Sequence, residues 1–181
     1  MITTFKHVRF TGKLAAAVAA AALGMGLAAP AHAAQATANA TGTVVTPITI
    51  AAVTDLVFGR FAPGAGGTVT VSTGGVRSNT GAVLMTGAAP SAARFNITGD
   101  ASATYSITHS GSTSLNNGPS SMALTKFSDL TAANATSGVA TSGVLSAGGT
   151  QSLYVGGTLA VAASQAPGVY TGTVVATVEY N

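Results

Sequence analysis

The sequence predicts an all-β fold, a sandwich of antiparallel sheets. From residue 34 onward, short segments alternate apolar and polar residues, and alternation at a period of two places one residue set on each face of a strand. Clusters of Gly, Pro, Asn and Ser separate these segments and supply the conformations that turns need. Many short strands at regular spacing, without a capped helical stripe, are typical of a β-sandwich.

The first 33 residues are predicted to be a secretory signal peptide. Residues 1–13 carry three basic and no acidic side chains, residues 14–27 form an uninterrupted apolar run, and Ala31-His32-Ala33 matches a cleavage site. A membrane anchor is the alternative, but the apolar run is short for a span. We therefore expect export through the periplasm and no stable membrane insertion after cleavage.

Loss of that segment changes the charge of the chain. The seven basic residues fall to four, which equal the four acidic residues, so the apparent basicity gives no argument for nucleic-acid binding. The chain has no cysteine, so the domain depends on its core and hydrogen bonds for stability. The remaining charges are Arg60, Arg77, Arg94 and Lys126, with Asp55, Asp100, Asp129 and Glu179.

Ten segments between the turn clusters are predicted as strands. A low-complexity linker is the alternative for a chain rich in Thr, Ser, Ala and Gly, but disordered tracts lack such regular alternation. The predicted strands are Val44–Ala52, Leu56–Phe61, Thr68–Ser72, Gly81–Thr86, Arg94–Thr98, Thr104–Thr108, Met122–Phe127, Val139–Leu145, Ser152–Val161 and Val169–Tyr180.

Both ends of the exported chain are predicted to be strands. The last segment alternates up to Tyr180, one residue before the carboxylate, so a terminus that would fray is predicted to belong to the core. Residues 34–46 alternate small apolar residues with Gln, Thr and Asn, where a disordered tail would be expected.

The two ends of the exported chain resemble segments of a known family of secreted bacterial proteins. The last strand with its penultimate Tyr180, preceded by Pro167-Gly168-Val169-Tyr170-Thr171-Gly172, resembles the last strand of chaperone–usher pilus subunits. The alternating leader ending in Gly42-x-Val44 looks like their N-terminal donor strand. Val155-Gly156-Gly157-Thr158-Leu159 and Asp55-Leu56-Val57-Phe58-Gly59 are similar to poorly characterised secreted bacterial domains regarded as pilin-like.

The resemblance implies an incomplete immunoglobulin-like sandwich over residues 47–181, lacking its final strand, with residues 34–46 as a donor-strand extension. A periplasmic chaperone and then another copy of the chain, delivered at an outer-membrane usher, would fill the groove by β-augmentation. The implied product is an extracellular fibre for surface attachment or biofilm. The implied donor set is Ala36, Ala38, Ala40, Gly42 and Val44, and the implied acceptor wall is Tyr170, Val174, Ala176, Val178 and Tyr180.

The residues themselves offer no catalytic constellation, and we expect no enzyme activity and no cofactor. His109 is the one histidine after residue 33 and is predicted to lie at an exposed turn. The alternative function is a self-contained secreted β-sandwich that binds a carbohydrate or surface ligand and keeps its N-terminal strand for itself. A secreted hydrolase is a third, weaker hypothesis, since the sequence offers almost none of the residues that hydrolysis would need.

Overall fold

A computed structural model describes residues 33–181. The predicted signal peptide, apart from Ala33, lies outside the described residues. Residues 43–181 form one compact unit. Residues 33–42, the described part of the other unit, are exposed and contain no regular secondary structure.

All regular secondary structure in the described part of the chain is β, which confirms the predicted fold class. The strands are β1 (Thr49–Thr54), β2 (Phe61–Ala62), β3 (Gly67–Val71), β4 (Arg77–Thr80), β5 (Val83–Leu84), β6 (Ala93–Thr98), β7 (Thr104–Gly111), β8 (Ser114–Asn117), β9 (Ser120–Asp129), β10 (Ser142–Val144), β11 (Thr150–Val161) and β12 (Val174–Tyr180).

The larger sheet is organised around β11, which is paired along both edges. On one edge its first half pairs with β6 and its second half with β3, while β9 pairs with the opposite edge. The sheet continues from β6 to β1, from β3 to β4 and from β9 to β8. All of these pairs are antiparallel.

Two glycines lie where β11 changes partner. A Cβ on Gly156 would approach the Val71 carbonyl oxygen to 2.5 Å, and one on Gly157 would approach Leu124 Cδ1 to 2.9 Å. The missing side chains therefore permit close packing at the centre of the sheet.

The smaller sheet has three strands, in the order β10-β7-β12. The burial of β12 alternates as predicted: Val178 is buried, and Val174 and Ala176 pack against the core, while Val175 is exposed. The sandwich core forms two clusters, one around Phe95 and Leu153 and the other around Phe58 and Leu159.

The N-terminal boundary of the first predicted strand is wrong. Val44–Ala52 was expected to be a strand, but regular pairing begins only at Thr49, and residues 33–48 contain no strand. The reason is that a strand needs a pairing partner, and the described chain supplies none before β1.

The prediction of a strand over Leu56–Phe61 is also wrong. Only an isolated bridge joins Val57 to Ser91, and Gly59 adopts a positive φ of 73° that ends extended pairing. Two strands were missed, Arg77–Thr80 and Ser114–Asn117, because neither alternates apolar and polar residues.

Candidate strand-acceptor groove

Two strand edges face each other without pairing. β1 pairs with β6 along one edge, and β12 pairs with β7 along one edge. Within residues 33–181, no strand pairs with the other edge of either. The unused amide and carbonyl groups on β12 form a template for another strand.

A cavity of about 470 Å³ lies between these edges. Its sides are residues 52–58, which continue from β1, and residues 170–174, which lead into β12. We call this space the acceptor groove. Its floor is apolar and partly made of buried core residues: Phe58, Ala93, Phe95, Leu115 and Leu124.

The groove lies where the two core clusters meet. Leu56 packs against both clusters, and Phe95 and Phe58 belong to one each. A Cβ on Gly157 would lie 3.2 Å from both Leu56 Cδ2 and Phe58 Cζ, so this glycine makes room for the floor. A side chain inserted here would join both halves of the core.

Hydrogen bonds fix the 52–58 side of the groove. Val57 and Ser91 exchange two backbone bonds of 2.8 and 3.0 Å, and Ser91 Oγ donates to the Asp55 carbonyl. The Arg77 guanidinium donates to the carbonyl oxygens of Phe58 and Arg60 at 3.0 and 3.1 Å, and also to that of Met85. The wall is thus held in place without a strand on its groove side.

The structure places the predicted acceptor residues at different depths of the sandwich. Tyr170 and Val174 line the groove cavity. Val178 is buried in the core, and Ala176 is half-buried and packs against it. The sequence prediction assigned none of the residues of the opposite wall and the floor to the groove, because their proximity to β12 arises only from tertiary packing.

Tyr180 connects the two ends of the compact unit. Its hydroxyl donates to the Thr46 carbonyl at 2.7 Å and accepts from the Asp100 amide at 2.6 Å. Gly99 permits this arrangement, since a Cβ there would collide with the hydroxyl. Tyr180 therefore fixes the chain just before β1, at the end of β12 remote from the groove cavity.

The predicted donor residues are all exposed. Ala36, Ala38, Ala40 and Gly42 belong to no strand, and a Cβ on Gly42 would meet nothing within 4 Å. Val44 exposes 99% of its side-chain surface, an unusual state for a valine.

Polar groups elsewhere are engaged in holding loops. The Asp129 carboxylate accepts bonds from Thr73 Oγ1 and from the backbone N–H groups of residues 131–133. Burial alone would raise the pKa of Asp129, but these hydrogen bonds outweigh it and lower the pKa. Burial lowers the pKa of Lys126, whose Nζ donates to the Ser110 carbonyl.

His109 does not occupy the exposed turn that the sequence predicted. It lies within β7, half-buried, with Nε2 3.0 Å from the Ala140 carbonyl and 3.1 Å from Ser128 Oγ. No group of three or more His, Cys, Asp or Glu side chains suited to a metal ion occurs among the described residues.

The class of this domain is an antiparallel β-sandwich with a groove of apolar floor at the start of its last strand. The chain belongs to the family described as a domain of unknown function (DUF4402), which matches residues 48–180. No curated protein and no solved structure shows significant similarity to it. The residues that the structure describes contain no helix with the length and apolar character needed to span a bilayer.

Proposed function

We propose that the protein is a structural subunit of an extracellular fibre in which each copy donates its N-terminal extension to the acceptor groove of the next. The observation that carries this proposal is the cavity at the start of the unpaired edge of β12, together with the almost complete exposure of Val44 before β1. A strand from a second copy would pair with β12 and place side chains in the cavity.

The extension is long enough for this role. Residues 34–46 would span about 43 Å when extended. Residues 170–180 cover about 36 Å at the same rise. One extension can therefore occupy the whole acceptor edge.

The position of Val44 favours donation to another copy. Val44 lies two residues, at most about 7 Å of chain, from Thr46, which Tyr180 holds. The groove cavity begins at Val174, six positions earlier on β12, which corresponds to about 20 Å. Val44 is almost fully exposed and does not line the cavity of its own chain.

Side-chain size favours an antiparallel orientation of the donated strand. Val44 is the largest member of a donor row otherwise made of Ala and Gly, and the cavity lies at the start of the acceptor edge. Antiparallel insertion brings the C-terminal end of the extension, with Val44, beside residues 170–174. The alanines then lie along the rest of the acceptor edge. There, pairing of the two main chains would contribute more to binding than burial of the small alanine side chains.

An empty groove would be an aggregation hazard during export. This supports a role for a periplasmic chaperone that covers the β12 edge, and for an outer-membrane usher where the chaperone is replaced. Surface attachment or biofilm formation is the function proposed for the resulting fibre.

The purified full chain, without any added partner, tests the proposal. We expect a ladder of oligomers that survives detergent without boiling. Val44→Asp should reduce the ladder to monomers because a carboxylate would enter the apolar cavity, whereas Thr43→Asp, on the opposite face of the extension, should preserve it. A monodisperse monomer of the unaltered chain, or equal ladders from both variants, would contradict the proposal.

A further inference from the structure

A row of polar side chains crosses the outer face of the larger sheet. Thr54 of β1 is opposite Arg94 of β6, Arg94 is opposite Tyr154 of β11, and Tyr154 is opposite Asp129 of β9. Directly opposed residues share a face of the sheet. Since the neighbours of Arg94 and Tyr154 along their strands are buried in the core, this row faces outward.

The side chain of Arg94 contains an unsatisfied hydrogen-bond donor. Its Nε is buried and has no hydrogen-bond partner among the described residues. By contrast, the guanidinium of Arg77 donates hydrogen bonds to three backbone carbonyl groups. The nearest acid in the row, Asp129, lies beyond Tyr154 and is engaged with Thr73 and three backbone N–H groups. A buried N–H group without a partner has a cost, and the charge of the same guanidinium would be complemented by an anionic ligand at its terminal amino groups.

Arg94 is shared by two hollows of this face. One, of about 250 Å³, is bounded by Thr54, Ser91 and Tyr154, and the other, of about 530 Å³, by Asn96, Gln151 and Ser152. Together they provide space of the order that small-ligand sites use, roughly 300–1,000 Å³.

The lining of the hollows suits a sugar better than a protein surface. Thr54 Oγ1 donates to the Ala92 carbonyl and Ser91 Oγ to the Asp55 carbonyl, so both oxygens point to acceptors inside and can still accept from a ligand hydroxyl. Tyr154 contributes a half-buried aromatic ring. Amide and hydroxyl groups line the larger hollow, at Asn96, Gln151 and Ser152, while the smaller hollow adds apolar surface against which a sugar ring can pack.

We propose that this face binds an acidic polysaccharide, with the carboxylate of a uronic acid residue on Arg94 and the neighbouring sugar rings in the two hollows. The planar guanidinium matches a carboxylate in a bidentate arrangement. Arg94 and Tyr154 do not line the acceptor groove, whereas Thr54 borders both the groove and the smaller hollow.

Titration of the full chain with tetragalacturonate by calorimetry tests the site, with the fully methyl-esterified tetramer as the uncharged comparison. We expect the acidic tetramer to bind and its ester to bind at least about tenfold more weakly. Arg94→Gln should weaken binding of the acidic tetramer by a similar factor. Arg60→Gln, which removes the same charge from an exposed position, should change it less than about twofold.

The stability of the variants separates binding from a structural role. Arg94→Gln should keep or raise the melting temperature, since it removes a buried donor without a partner, and Arg94→Lys should fold and retain only part of the binding. The proposal is overturned by absence of tetragalacturonate binding, by equal binding of the ester, or by unchanged binding in Arg94→Gln and Arg94→Lys. Tighter binding of a glutamate-rich peptide than of tetragalacturonate would also overturn it, in favour of a protein carboxylate.

Discussion

The consecutive strands β11 and β12 use their edges differently. β11 has partners along both edges, supplied by β6, β3 and β9. Within residues 33–181, β12 pairs only with β7, and a cavity with an apolar floor adjoins the start of its other edge at Val174. Both strands alternate and both contribute to the core, so alternation shows only that a segment can form a strand. Whether its edges are satisfied depends on the partners that the chain supplies.

A charge in the core row of β12 should give the largest loss of stability. Val178→Glu places a carboxylate at a site only 9% exposed, which should cost about 3 kcal/mol or more. Val175→Glu changes the same residue type on the exposed face of the same strand and should cost much less. Urea denaturation of both variants checks the orientation of β12, and equal losses would show that the orientation is wrong.

Substitution of a glycine should lower stability in the paired strand β11 but not in the exposed N-terminal extension. Gly156→Ala in β11 should lose about 1–3 kcal/mol, because the added methyl group meets the Val71 carbonyl. Gly42→Val should leave the melting temperature unchanged, since nothing lies near that position, yet it should block assembly if the groove approaches the donated backbone closely. Full-length fibres from Gly42→Val would contradict the proposed donor row.

Tyr180→Phe tests how the chain before β1 is held. The variant loses the hydroxyl that bonds to Thr46 and Asp100, which should cost about 1–2 kcal/mol. Limited proteolysis should cut before Thr49 more rapidly than in the unaltered chain. Tyr170→Phe is the matched control, because its hydroxyl bonds only to Gln165 and Ala166 and its loss should leave that cleavage unchanged.

Lowering the pH should remove the stabilisation that the Asp129 carboxylate provides, and this effect should be smaller than those of the substitutions above. The pKa of its carboxyl is lowered in the folded state, so its contribution is complete above the ordinary aspartate value of about 3.9 and is lost as the pH falls through the lowered pKa. Asp129→Asn should therefore flatten the decline in melting temperature below about pH 4. A decline as steep as that of the unaltered chain would show that other carboxyl groups dominate.

Much of the fold follows from local patterns. Ser152–Val161 was predicted and extends by two residues to Thr150, because regular alternation and flanking glycines define it. The segment Leu56–Phe61 was also predicted as a strand, but Gly59 has a positive φ and Arg77 binds the backbone of this segment, a contact over many residues that no local pattern contains.

Less of the acceptor groove and of the Arg94 site than of the fold could be predicted from the sequence. The groove edge at Tyr170 and Val174 was predicted from the resemblance, while its floor and opposite wall depend on packing between distant segments. The row of Arg94 and Tyr154 depends on the register of β6 against β11, which no local sequence pattern contains.

Cross-linking between two copies tests the central claim most directly. The natural chain has no cysteine, so Val44→Cys in one tagged copy and Val174→Cys in a differently tagged copy give an unambiguous signal with a short thiol cross-linker. Antiparallel donation predicts a covalent heterodimer carrying both tags, and a much weaker product when the second cysteine replaces Glu179 at the other end of β12. Absence of the heterodimer, or preferential cross-linking to position 179, would contradict the account.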